Sequence, residues 1–114
     1  MFKIPVNADI PEEKLTRYLL VPRLRDDKSK FLAQAGFTLQ NPDALRLAII
    51  NLIQAVEAIE DGMNQYGTLY RVTGNFEGVN GRSLTVVTIW IRWNSDNSFH
   101  FVTLKPQKEP RRNA

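Results

Sequence analysis

The apolar positions of this chain change their period near its middle. Leu45, Ile49, Leu52, Ile53, Val56 and Ile59 recur at three-and-four spacing, which marks a helix with one buried face. Asn41-Pro42 offers a capping side chain and a proline for the first turn, and Asp61-Gly62 a stop, so the pattern predicts a helix over 41–60. Two shorter helices precede it. One is expected over 11–20, where Pro11 suits the first helical position, Glu12 and Glu13 suit the positive end of the dipole, and Val21-Pro22 ends the run. The other is capped by Asp26-Asp27, lined by Phe31, Leu32 and Ala35, and stopped by Gly36. Residues 2–6 read as an extended arm or an edge strand, because Pro5 excludes a central one.

Beyond Tyr66 the period becomes two. Strands are predicted over 67–76, 82–93 and 98–105, joined by a type I′ turn at Asn80-Gly81 and a four-residue turn over 94–97. The class is therefore α+β. About three N-terminal helices cover one face of a three-stranded antiparallel meander, with a fourth strand allowed. Residues 1–106 form the single domain, and 107–114 read as a disordered basic tail.

The turns imply a register, and the register implies two faces. A two-residue turn at Asn80-Gly81 pairs Val72 with Ile89 and Tyr70 with Ile91, giving an apolar face that Val102 and Leu104 extend. The helices are expected there. The opposite face then shows Arg71, Thr73, Thr88, Trp90, Arg92, Phe101, Thr103 and Lys105. Cations, hydroxyls and aromatics together suit phosphate holding and base stacking. The plainer reading is a solvated sheet face, where Thr and Arg are ordinary residents; Trp90 beside Phe101 weighs against it.

Charge changes this picture little. The chain has 114 residues and a net charge of +3, with a pI near 9.4. Residues 106–114 carry +2 of that, so the basic pI is mostly a tail property. There are no cysteines and one histidine, which argues against thiolate and histidine metal sites. No cofactor is expected. Neither a spanning segment nor an export signal is evident, so a cytoplasmic location away from membranes is the expectation.

No phosphate loop or nucleophile elbow is present. Lys28 and Lys30, at the start of the second helix, are candidate phosphate grips or a solvated helix end. His100, opposite Ile91, is either a general acid or base or a half-buried histidine with one hydrogen bond.

Several of these segments resemble an uncharacterised family of small bacterial domains. They are Thr16-Arg17-Tyr18-Leu19-Leu20, Asp27-Lys28-Ser29-Lys30-Phe31-Leu32, Tyr66-Gly67-x-x-Tyr70, Thr88-Ile89-Trp90-Ile91 and Phe101-Val102-Thr103-Leu104. That family is in turn similar to toxin nucleases of the barnase–EndoU–colicin–RelE group. The resemblance implies a metal-independent endoribonuclease with RNA as substrate and a small antitoxin-like partner protein. Where many relatives carry Asn-Pro-x-His-Pro, this chain has Val21-Pro22-Arg23-Leu24-Arg25, so a histidine at that place is missing. The expected catalytic set is Lys28, Arg71, Thr88, Thr103 and His100, with Lys30, Thr73, Trp90, Arg92, Phe101 and Lys105 binding substrate. The alternative is a non-catalytic interaction domain that uses the same face.

Overall fold

The computed structural model describes residues 2–25 and 27–107. Its order is a helical N-terminal half followed by a four-stranded antiparallel meander. The first helix is one α turn, α1 (Glu12–Lys14), which runs into a π-helical stretch, Leu15–Leu19. There the Leu20 N–H reaches the Leu15 carbonyl at 3.0 Å. This wider turn lets Leu15, Leu19 and Leu20 all enter the core. Helix α2 (Ser29–Ala33) ends where Gly36 takes φ +88°, as its sequence signal implied. Helix α3 (Pro42–Ala55) buries Leu45, Ile49, Leu52 and Ile53 against the sheet. Asn41 does not cap it. Its side chain turns back to the Thr38 N–H at 2.7 Å and the Gly36 carbonyl at 2.9 Å.

Helix α3 is five residues shorter at its C-terminus than the expected end at 60. Val56 becomes extended, and Ile59–Met63 forms β1 instead. Val56 and Ile59 continue the helical spacing by coincidence; the partner that makes β1 a strand, β2 (Gly67–Glu77), is remote from them in that pattern. Strands β3 (Ser83–Trp93) and β4 (Phe99–Pro106) complete the sheet in the order β1-β2-β3-β4. The arm over residues 2–10 turns at Val6-Asn7, where the Ala8 N–H reaches the Pro5 carbonyl at 3.0 Å; it buries Ile4 and Ile10 and forms one bridge, Asp9 to His100. Gln107 lengthens the β3–β4 ladder through Thr85, at 3.0 Å. The expected disorder of the tail beyond it, and the capping role of Asp26, lie outside the described residues.

The register differs from the expected one by a single residue. Val72 pairs with Thr88, Arg71 with Ile89 and Tyr70 with Trp90. The cause is the turn. A type I′ turn needs positive φ at both central residues, and only Gly81, at +87°, has it. The loop is longer, with Gly78 N–H bonded to the Arg82 carbonyl at 2.7 Å around three residues, the last in the left-handed conformation. The slip turns β3 over. Thr88, Trp90 and Phe101 lie beneath the helices, fully or almost fully buried, while Val87, Ile89 and Ile91 face the uncovered side. Arg92 falls on the helix side at the sheet's rim.

In β4 a bulge intervenes. Trp90 pairs with Phe101 but Ile89 pairs with Thr103, leaving Val102 as the extra residue. His100, Thr103 and Lys105 therefore share the uncovered side with Arg71 and Thr73.

Candidate functional site

The expected catalytic cluster does not assemble on one face. Thr88 is structural: it accepts the Trp90 indole N–H at 2.9 Å and donates to the Val72 carbonyl at 3.1 Å. Arg71 lies beside Asp61 at 3.8 Å, on the β1 side of the sheet. Lys30 is exposed and borders a different depression, with Leu20, Pro22 and Phe37. Thr73 and Lys105 are on the uncovered side, on either side of Val87.

Thr103 shares one feature with Tyr18, the hydrogen-bond partner of Lys28, at the β4 edge. There a groove of about 420 Å³ runs between the first helix and the bulge, lined by Glu13, Lys14, Arg17, Tyr18 and Thr103. Its construction follows from the two elements. Glu13 and Arg17, and Lys14 and Tyr18, are four apart on the first helix, which sets them on one side. The bulge at Val102 turns its carbonyl outward, where the Lys14 ammonium donates to it at 2.9 Å. The Lys28 ammonium donates to the Tyr18 phenol oxygen at 2.7 Å. Lys28 and Arg23 also stand 5.0 and 4.9 Å from the centre of the Tyr18 ring. Thr103 Oγ1 is buried and has no hydrogen-bond partner among the described residues. Lys14 and Arg17 thus line the groove beside Tyr18, Lys28 and Arg23 approach the Tyr18 ring, and Glu13 is the carboxylate of the lining.

Sequence reasoning placed Lys28 and Thr103 but missed Glu13, Lys14, Arg17 and Tyr18 as site residues. The signal was present in Glu13-Lys14-x-x-Arg17-Tyr18, two i, i+4 pairs of chemically active side chains. In the sequence Glu13 reads as part of a helix start, and Arg17-Tyr18 as part of a segment that carries the family resemblance.

His100 sits farther along the same strand. Its Nδ1 is 3.3 Å from Asp9 Oδ2 and its Nε2 is 2.7 Å from Ser98 Oγ. The Trp93 ring stacks on the imidazole at 3.8 Å. The histidine is therefore held on three sides. Ser98 also donates its hydroxyl and backbone N–H to Asp96, at 2.6 and 2.9 Å. These bonds hold the Asp96 carboxyl below the usual aspartate range, the side-chain bond contributing most. Asp27 repeats the arrangement with Ser29 and is lowered for the same reason. Among the described residues no group of three or more His, Asp or Glu is placed to hold a metal ion. No helix among them is long and apolar enough to cross a membrane.

The architecture is that of a small α+β domain in which helices cover one face of an antiparallel meander and a cationic groove marks one edge. Within that class the chain belongs to a defined family. It matches the model described as "Domain of unknown function (DUF6883)" over residues 5–108. No curated protein and no solved structure matches it.

Proposed function

We propose that this domain is a metal-independent endoribonuclease whose site is the groove at the β4 edge. One observation carries the reading: the Lys28 ammonium bonds to the Tyr18 phenol, and Tyr18 lines a groove with Lys14, Arg17 and Thr103. The sequence segments resemble an uncharacterised family of small bacterial domains, and the further analogy from that family to toxin nucleases, at the level of fold alone, supports the same reaction.

RNA cleavage by internal attack needs no cofactor. The 2′-oxygen forms a bond to phosphorus, its proton leaves to a base, and the phosphorus–O5′ bond breaks as that oxygen gains a proton. The products are a 2′,3′-cyclic phosphate and a free 5′-hydroxyl. In this reading Glu13 takes the 2′-proton. Tyr18, whose oxygen already accepts from Lys28, donates its own proton to the leaving oxygen. Arg17, Lys14 and Lys28 stabilise the charge that develops on the phosphorane oxygens, and Thr103 Oγ1 orients one of them. His100 lies outside this set, with both ring nitrogens already engaged.

Purified protein incubated with total RNA in excess EDTA tests the reading. Cleavage should occur, and Arg17→Ala or Lys28→Ala should slow it by roughly 100-fold or more. A folded protein that leaves RNA intact, or variants as active as the parent, would sink it. The uncovered face favours a second reading, a non-catalytic interaction domain, because its central row is apolar: Val87, Ile89 and Ile91. An inert protein that retains a binding partner after Arg17→Ala, and loses it after Ile89→Lys, would establish that reading instead. A small antitoxin-like partner fits the first reading if acidic side chains enter the groove.

A further inference from the structure

We propose that the hollow beside Trp93 is a nucleobase-binding subsite. This rests on the ribonuclease reading only for RNA as the source of the base. The hollow measures about 660 Å³ and is lined by Gln65, Tyr66, Ile91, Trp93, Asn94 and Ser95. Tyr66 and Trp93 are 65% and 41% exposed, so two aromatic side chains stand uncovered at one place.

Three features fit a planar heterocycle. First, Trp93 is braced. The His100 imidazole stacks on it at 3.8 Å, and Asp9 and Ser98 fix the imidazole in turn. A ring held in this way loses little freedom when a base stacks on it. Second, the two loops that carry the aromatics are tied together. Asn94 N–H donates to the Tyr66 carbonyl at 2.9 Å, and Asn64 Oδ1 accepts the Tyr66 N–H at 2.8 Å. Third, none of the six lining residues is charged, whereas Gln65 and Asn94 carry amides that offer donors and acceptors. A neutral ring with a hydrogen-bonding edge matches that lining, and an anion or an ammonium group does not.

Position agrees with this assignment. Trp93 pairs with Ser98 at the start of the β3–β4 turn, and Thr103 of the cationic groove is five residues along the chain from Ser98. At about 3.3 Å per residue the separation along the strand is on the order of 15 Å, within the span of a short oligonucleotide. The hollow would then hold a base a nucleotide or two from the cleaved phosphate and set the sequence preference of cleavage.

The four ribonucleosides are the probes, because they contain no phosphodiester and report on this site whether or not the protein cuts RNA. Trp90 is buried and Trp93 exposed, so intrinsic fluorescence reads the hollow directly. Saturable quenching by at least one nucleoside is expected, weakened by about tenfold in Tyr66→Ala and unchanged in Arg17→Ala. No saturation at concentrations on the order of 10 mM, or an unaltered titration in Tyr66→Ala, would overturn the proposal. So would tighter binding of N-acetylphenylalaninamide than of every nucleoside, which would assign the hollow to a protein side chain. Loss of RNA cleavage in Arg17→Ala with nucleoside binding intact supports both sites; nucleoside binding without any RNA cleavage leaves this subsite standing and removes the ribonuclease.

Discussion

At the scale of single residues, the buried Thr88 shows how a polar group fixes the core. Its hydroxyl accepts the Trp90 indole N–H and donates to the Val72 carbonyl. Thr88→Val keeps the shape but leaves the buried indole N–H without the acceptor it has here. We expect a loss of about 1–3 kcal/mol in a urea titration; an unchanged midpoint would show that the bridge contributes nothing. The same residue shows why part of the site was illegible in the sequence. A threonine between valine and isoleucine suits an exposed face as well as a buried one, and nothing local states that an indole two residues on needs an acceptor. Lys28 was legible because it lies in a dense polar segment. Its partner Tyr18 was not, because nothing in the local pattern links it to a lysine ten residues on. The aspartates add a pH dependence. Asp27 and Asp96 both titrate below their ordinary range because Ser29 and Ser98 donate to the charged forms. A depressed carboxyl stabilises the fold above its unfolded value, and that contribution is lost as pH falls through the folded value. Stability should therefore decline below about pH 4, and Ser98→Ala should flatten the decline, read from thermal melts across that range.

At the scale of elements, one turn determines which face of β3 is buried. Strands β2, β3 and β4 were evident from alternation, β1 was not, and the four-residue turn at 94–97 was correct, so the pairing of Ile91 with His100 followed from the sequence. The β2–β3 turn was misread because Asn-Gly fits both a two-residue loop and a three-residue loop with glycine last. The structure separates them through Gly78 and Gly81. A methyl at Gly78 would overlap the Ala35 carbonyl oxygen and Cβ at the end of α2, whereas one at Gly81 meets only space but must adopt φ +87°. Gly81→Ala should cost about 1 kcal/mol through backbone strain. Gly78→Ala should cost more, up to about 3 kcal/mol, because the loop must lift off α2. Equal midpoints for the two variants in chemical denaturation would contradict this docking of loop on helix. The Val102 bulge had no sequence signature at all. The contacts around it come from far along the chain: Lys14 is 88 residues from Val102, and Asp9 is 91 from His100.

At the scale of the whole molecule, charge is distributed more unevenly than its total implies. The body outside residues 106–114 carries only +1, yet Lys14 and Arg17 line the groove at the β4 edge, and Lys28 and Arg23 approach the ring of Tyr18 in that lining. Net charge hid the groove because acidic residues elsewhere cancel it, Glu60 and Asp61 on β1 among them. RNA binding there should weaken steeply between low and physiological salt, since few other contacts would compensate for screened phosphates. The most direct measurement uses a single-stranded RNA oligonucleotide of defined sequence in EDTA, with product ends identified by mass spectrometry. The account predicts 2′,3′-cyclic phosphate ends from the parent protein and roughly 100-fold fewer from Arg17→Ala. It also predicts no cleavage of the 2′-O-methyl analogue. Intact RNA after incubation with the folded protein, or cleavage of the 2′-O-methyl strand, would contradict it.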